Sequence, residues 1–246
     1  MKLSLLCIVN DQNIYDEFLE DLAAQSFKDF ELLTIMNMNG EYNSARAAFN
    51  ENAKNAQGDY LMFIHPDIRF MKKNALKDIA ERLEHESPFG VLGVAGADAD
   101  ASGRRGIVTT ILQGSGKEHV GRSITETEEV QTLDECLFVV EREYFREHPF
   151  SDKSGWHLYG VEYCLNAIRD GRVNKVVPSD VWHLSDGKSL NEKYMDQLEE
   201  LLEEEKDYFD VIYTSVKRWT TKGRRAAAYR KYYYWKQFIK RKLLRK

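Results

Sequence analysis

The stretch GDYLMFIHPDIRF (58–70) is where this sequence most openly offers chemistry. An apolar run stops at His65-Pro66-Asp67 and then resumes. A carboxylate at the end of a central strand is costly to bury unless something positive meets it. A divalent cation carrying a diphosphate would do so, because hard cations prefer oxygen ligands and substrate phosphates. The spacing alone leaves a second reading open, in which Asp67 only caps the helix that follows. A site at Asp67 requires the surrounding elements to bring other polar groups to the same edge.

Those elements alternate. LSLLCIV (3–9) is a continuous apolar run ended by Asn10-Asp11, as expected of a buried parallel strand entering a polar loop. A helical pattern over 15–25 puts Phe18, Leu19, Leu22 and Ala23 on one face. ELLTIM (31–36) predicts a second strand, 43–56 a helix capped by Asn43 or Ser44, and YLMFIH (60–65) a third strand. This alternation predicts a doubly wound α/β fold with a mostly parallel sheet and helices on both faces. Such sheets bind ligands beyond the carboxyl ends of their strands, so Asn10, Asp11, Asn37, His65 and Asp67 should converge at one edge. That edge suits a nucleotide. Further on, the sequence predicts a helix over 71–85, a buried strand in GVLGVAGA (90–97) and a surface excursion over 98–122 with a hairpin around 107–112. A strand in CLFVVER (136–142), a helix over 158–170 stopped by Gly171, and short strands in VNKVV and VWHL follow. An acidic helix over 191–210 and a basic, aromatic one over 224–246 close the chain.

At 246 residues the chain has room for one large α/β domain and an appendage, and too little for two full enzymatic domains. The expected division is a catalytic domain at 1–188 and a C-terminal helical extension at 189–246. With 43% apolar and 30% charged residues, the composition excludes extensive disorder. The first apolar run is too short for a signal peptide or a membrane span, and no other stretch approaches about 20 apolar residues. Cys7, Cys136 and Cys164 match no metal or disulfide spacing, so buried free thiols in a reducing cytoplasm are expected. Residues 217–246 carry 13 Lys or Arg and no acid, which leaves 1–216 at −18 within a total of −5. That asymmetry gives the tail a task of its own and disfavours nucleic acid, which the acidic body would repel.

Three segments in order, LSLLCIVND, LAAQSFKDFELL and NSARAAFNENAKNAQGDYLMFIHPDIRF, resemble the N-terminal half of family 2 glycosyltransferases. The His form of that family's Asp-x-Asp motif, together with GVLGVAG (90–96), LDECLFV (133–139) and GWHLYG (155–160), is similar to the streptomycin-biosynthesis-type branch of glycosyltransferase-like domains. The similarity spans about residues 3–187. It implies a GT-A fold with added C-terminal helices. It also implies a bacterial enzyme that uses Mn2+ or Mg2+ to pass a sugar, with inversion, from a UDP-, GDP- or dTDP-sugar to a hydroxyl. Glycan, lipid-linked and secondary-metabolite acceptors all suit that chemistry.

Residue by residue, the resemblance implies that Asn10 and Asp11 lie near the nucleoside and that Asp67 holds the metal and diphosphate with His65 beside it. The family's acidic residue after the second strand is Asn37 here, which alters base or ribose recognition. His183 falls where many GT-A enzymes place a metal- or diphosphate-binding histidine, and a satisfied core histidine is the other reading. Inverting transfer needs a general base for the acceptor proton. In the family this is an Asp at a helix start, but in YGVEYCL that position is Gly160. Glu162 is the nearest carboxylate, unless it serves only the helix dipole. Asp134 and Glu135, just ahead of an apolar strand, are the rivals, with loop-amide bonding as the other reading of Asp134. Trp156 and His157 could stack on or hydrogen-bond a sugar, and Trp156 could equally be core.

In AAAYRKYYYWKQFIKRKLLRK, Ala228, Tyr232, Trp235, Ile239 and Leu243 recur at helical spacing among Lys and Arg. A helix of that kind can lie in a membrane interface, here at the inner face of the plasma membrane. The same face could dock on the catalytic domain or on a second subunit of a homodimer, or its basic residues could meet the acidic helix. A nucleotidyltransferase-like enzyme and a non-catalytic scaffold that lost its base at Gly160 are the alternative functions.

Overall fold

The computed structural model describes residues 2–185 and 192–244. Its first half follows the expected alternation: β1 (Leu3–Val9), α1 (Gln12–Ala23), β2 (Phe30–Met36), α2 (Ala45–Ala53) and β3 (Tyr60–Ile64). β1 lies between β2 and β3 and is parallel to both. Leu3, Leu5, Cys7 and Val9 enter one core cluster while Leu6 enters a second, so both faces of the strand are covered. Burial on both faces explains why its sequence is apolar throughout instead of alternating.

The chain continues through β4 (Ile68–Phe70), α3 (Ala75–Glu86), β5 (Leu92–Gly93), β6 (Ala95–Ala99), β7 (Arg105–Thr109), β8 (Leu112–Gln113) and β9 (Glu118–His119). Then come β10 (Glu128–Val130), β11 (Thr132–Leu133), β12 (Leu137–Glu141), α4 (Arg142–Glu147), α5 (Tyr159–Arg169), β13 (Asn174–Val176) and β14 (Val181–His183). The C-terminal segment holds α6 (Glu192–Glu205), β15 (Val211–Tyr213), β16 (Arg218–Thr220) and α7 (Arg224–Leu244). The main sheet has seven strands in the order β10-β13-β5-β12-β3-β1-β2. Only β10 and β12 run against the rest, so the sheet is mostly parallel with helices packed on it.

Several local expectations are corrected. GVLGVAGA is not one strand: β5 joins the main sheet, while β6 joins a separate sheet with β7 and β11. Within β6, Gly96 lies where a Cβ would meet Val176 at 2.7 Å and the Thr132 carbonyl at 2.8 Å, so only glycine lets the strand pack this closely on its neighbours. The hairpin expected around 107–112 does not form, since β7 pairs with β6 and β8 pairs with β14 and β9. The helix expected from 71 starts at Ala75, and Ile68–Phe70 forms β4 antiparallel to β14. The hairpin β15–β16 had no counterpart in the sequence reading.

Of the two expected caps of α2, Ser44 holds the cap position but makes no capping bond; its hydroxyl donates to the Lys153 carbonyl at 2.9 Å. The three cysteines are free and buried, as expected. The expected domain boundary at 188/189 lies outside the described residues. A third core cluster joins Leu158, Val161 and Leu165 of the α5 region to α6, to Ile212 of β15 and to Trp219 of β16. Among the described residues no helix is long and apolar enough to cross a membrane.

Candidate active site

The pairing of β14 with β4 is what builds the site. Its register sets His183 opposite Ile68, one residue beyond Asp67, and the Leu184 amide donates to the Asp67 carbonyl at 3.0 Å. His65 sits just past β3, its amide donating to the Cys136 carbonyl at 3.0 Å. Ligand atoms of His65, Asp67 and His183 thereby lie within 4.8 Å of one another. His183 Nε2 is 3.3 Å from Asp67 Oδ2, and His65 Nδ1 is 3.9 Å from Asp67 Oδ1.

Asp67 Oδ1 is buried without a hydrogen-bond partner, and His183 Nε2 is buried with only its 3.3 Å contact to Asp67 Oδ2. Buried polar atoms are rarely left so, and two nitrogens with a carboxylate form a donor set that a divalent transition ion accepts. His65 is oriented from behind, its Nε2 lying 3.2 Å from the Tyr159 hydroxyl, as metal-bound imidazoles usually are. Burial alone would raise the Asp67 carboxyl, but the hydrogen bond and charge of His183, with His65, hold it below the usual range. Burial likewise works against a charged His183, and Asp67 outweighs it to raise the imidazole.

The cluster opens into a cavity of about 490 Å³ whose walls also include Asp134, Glu135, Trp156 and His157. Asp134 and Glu135 lie in the turn between β11 and β12. Burial raises Asp134, yet His183, the Ser215 hydroxyl and the Cys136 amide pull it below its ordinary value. Glu135 goes the other way: burial and the neighbouring Asp134 push it up to about 8, although the Gly160 amide donates to its Oε1 at 3.1 Å. Trp156 lines the cavity and also packs on the second core cluster. Leu158 takes φ 61°, a left-handed conformation unusual outside glycine, as the chain turns from His157 into α5.

A profile described as the Glycosyltransferase like family matches residues 4–205. The chain belongs to that family. Two solved structures share the fold of this glycosyltransferase-like chain. S. aureus TarS 1-349 in complex with UDP-GlcNAc has a TM-score of 0.56 at 17% identity, covering 82% of this chain and 65% of that one. The mannosyltransferase PcManGT from Pyrobaculum calidifontis, in complex with GDP-Man and Mn2+, has a TM-score of 0.54 at 11% identity, covering 82% and 61%. The chain thus spans less than two thirds of the length of these neighbours, and identities this low speak to the GT-A fold alone. No curated protein matches the chain.

In this glycosyltransferase-like frame, the residues singled out from the sequence fall into three groups. His65, Asp67, Asp134, Glu135, Trp156, His157 and His183 all line the one cavity. Asn10, Asp11 and Asn37 sit past the ends of β1 and β2 and do not line it. Asp11 caps α1, accepting from the Ile14 amide at 3.2 Å, and Asn37 Oδ1 accepts from the Tyr42 amide at 2.8 Å.

Glu162, the carboxylate nearest the expected base position, stands apart from this cavity. Its Oε2 accepts from Arg46 Nε and Nη2 at 2.8 and 2.6 Å, and its Oε1 accepts from Lys153 Nζ at 2.9 Å. It does not line the cavity, because on α5 it points to α2 and the 151–153 loop. Burial would raise this carboxyl, but Arg46 and Lys153 bring it below its ordinary value. Tyr159, which orients His65, joins the site without having been expected there, as do Ser215, Val216 and Tyr233, which line the cavity from the C-terminal segment. Tyr159 was within reach as part of GWHLYG; the other three carry no sequence signal.

Proposed function

We propose that this chain transfers a sugar from a nucleotide-diphospho-sugar to an acceptor hydroxyl, with inversion, in a metal-dependent reaction. The observation that carries this reading is the convergence of His65, Asp67 and His183, with the buried Asp67 Oδ1 left without a partner, on one cavity of a glycosyltransferase-like fold. These three residues would hold a divalent cation, which when bound supplies positive charge to stabilise a departing diphosphate. Tyr159 keeps His65 turned toward that position. Asn10, Asp11 and Asn37, beyond the ends of neighbouring parallel strands, are the donor's nucleoside contacts in this reading, and Trp156 and His157 contact the sugar.

Glu135 is the proposed base. It faces the cavity, and a carboxyl pushed up to about 8 is well matched to accepting a proton near neutral pH. Asp134, kept low beside it, stays charged and favours the positive charge that collects at His183. The catalytic domain is assigned to 1–188 and the helical extension to 189–246. Along α7, Tyr229, Tyr232 and Trp235 are exposed among basic residues, which supports contact with an anionic membrane surface. One contact weighed for the basic helix is present, since Arg230 pairs with Glu199 of α6.

A thermal-shift panel of UDP-, GDP- and dTDP-sugars with and without manganese tests the reading. A ligand at 100 times its dissociation constant stabilises by about 2.7 kcal/mol. At least one donor should raise the melting temperature only with manganese, and Asp67→Ala should abolish the shift. Stabilisation by nucleoside triphosphates alone would point to nucleotidyl transfer instead. No shift with any nucleotide would leave the scaffold.

A further inference from the structure

The cluster of His65, Asp67 and His183 offers a cation more nitrogen than oxygen: two imidazoles and one carboxylate. Asp134 and Glu135 line the same cavity but stand outside this close group. Both are turned to backbone amides, Asp134 Oδ1 accepting from Cys136 at 3.1 Å and Glu135 Oε1 from Gly160 at 3.1 Å. Asp67 is therefore the one source of carboxylate oxygen in the cluster among the described residues.

The two rings are held in place by different elements. His65 Nε2 lies 3.2 Å from the Tyr159 hydroxyl, which leaves Nδ1 as the ring atom on the Asp67 side, 3.9 Å from Oδ1. Tyr159 is itself buried at the start of α5, its ring packed among Phe49, Phe138 and Phe150. His183 rides on β14 between β4 and β8, paired on one side with Ile68 and on the other with Gln113. The three ligand groups are thus presented by the end of β3, the entry to β4 and β14, with no substrate needed to assemble them.

We infer that the site selects a divalent transition ion over magnesium and holds it before any nucleotide arrives, with His65 as the residue that sets this choice. The inference rests on the metal-dependent reading of the cavity and deepens it by naming the class of ion.

Magnesium demands near-octahedral oxygen, gives up its waters reluctantly and is usually held by carboxylates together with substrate phosphates. Here it would find a single carboxylate. Transition ions take imidazole nitrogen, and for a given set of ligands their affinity rises from manganese through cobalt. Two imidazoles and a carboxylate suffice to bind such an ion from the protein alone. The charge of the cavity points the same way. Among the described residues that line it there is no lysine or arginine, so an entering diphosphate meets no fixed side-chain cation of that kind. An ion already in place supplies the missing positive charge, which an ion carried in by the nucleotide would have spent before entry.

The test titrates manganese, cobalt, magnesium and calcium chlorides singly into the untagged full chain without nucleotide. Binding is read by calorimetry, by melting temperature and, for cobalt, by visible absorption. One manganese or cobalt ion per chain should bind, cobalt the tighter, with magnesium weaker than cobalt by about a hundredfold or more. Spin-echo spectra of the manganese-loaded chain should carry nitrogen modulation from coordinated imidazole. His65→Asp replaces nitrogen with hard oxygen and should narrow the cobalt-over-magnesium ratio by about tenfold or more. Tyr159→Phe should weaken cobalt by about 10–100-fold and keep the preference, since it loosens the ring without changing the ligand atom. Should His65→Asp fail to fold, His65→Asn carries the test, because its amide oxygen is also a hard ligand and the same narrowing is expected. Equal affinity for magnesium and cobalt, no ion bound until nucleotide is added, or a ratio that the His65 substitution leaves unmoved overturns the inference. Donor binding is measured separately on the metal-loaded chain. Selective metal binding with no nucleotide-sugar bound would sink the transferase reading and leave the inference standing. Donor binding that magnesium supports as well as cobalt would do the reverse.

Discussion

A Glu162→Ala substitution removes the acceptor of hydrogen bonds from Arg46, Lys153 and Ser151. Lys153 keeps Glu204 as a partner, and Ser151 is open enough to find water. Arg46 is different. Its side chain is 3% exposed, and without Glu162 its remaining hydrogen-bond partner among the described residues is the His157 carbonyl at 3.5 Å. Leaving a buried charge unpaired costs about 3–5 kcal/mol. For a chain of this size each kcal/mol moves the melting temperature by about 2–4 °C, so a fall of about 6–20 °C is expected in a circular-dichroism melt.

Because the Glu162 carboxyl titrates below its ordinary value of 4.5, its contribution is complete above that pH and lost as pH falls through the lower folded value. The gap between wild type and variant should therefore close in acid. A double substitution of Arg46 and Glu162 to apolar residues of similar volume should recover much of the loss, since no charge is then stranded. If Glu162→Ala melts with the wild type while transfer drops a hundredfold or more, the ion-pair account is wrong and Glu162 returns as the base.

Glu135→Gln should slow transfer by about 10²–10⁴-fold while melting at or above the wild-type temperature, because the amide oxygen still accepts from Gly160. The folded chain holds the Glu135 proton from its ordinary 4.5 up to about 8, so ionisation costs wild-type stability as pH rises across that window; the Gln variant should lose less between pH 5 and 8. His183→Ala should remove the manganese-dependent part of the donor thermal shift, and a full shift in the variant would exclude His183 as a ligand. Tyr232→Ala with Trp235→Ala should weaken sedimentation of the full chain with vesicles containing anionic lipid, measured at low and physiological salt; unchanged sedimentation would reassign α7 to a protein partner.

The parallel half of the fold was legible because β1 and β3 are buried on both faces and so read as unbroken apolar runs, punctuated by helices with one apolar face. Among the short strands, β13 and β14 were legible in VNKVV and VWHL, but β4 and β8 were not. β4 and β8 have three and two residues, too few to show a period, yet β14 needs both as neighbours to carry His183 to Asp67. His183 was found through the resemblance, whereas its distance from Asp67 depends on pairing between segments more than a hundred residues apart. The surroundings of Glu162 were hidden for a related reason. A carboxylate in the first turn of a helix looks the same whether it faces a cavity or a buried arginine, and Arg46 stands in the unremarkable helical sequence NSARAAF. The cavity wall from the β15–β16 turn depends on long-range packing and left no local trace.

Gly160 occupies the position where the resemblance leads one to expect the base, and its lack of a side chain first suggested lost chemistry. The geometry gives it another meaning. A Cβ at Gly160 would lie 3.1 Å from Glu135 Cγ and 3.5 Å from Phe138 Cε1, so a side chain there and Glu135 in its present place compete for the same space. The start of α5 still receives a carboxyl, through the Gly160 amide, but the turn between β11 and β12 delivers it. Adjacent carboxyls driven apart, Asp134 downward and Glu135 up to about 8, are how one site assigns a charged group and a proton carrier. Gly160→Asp alone should therefore displace Glu135 and depress transfer, and Glu135→Gly alone should abolish the base. The double variant should regain activity beyond either single one, by moving the carboxyl from strand turn to helix start. Additive losses in that cycle, measured as kcat/KM, would show that the two positions do not share one role.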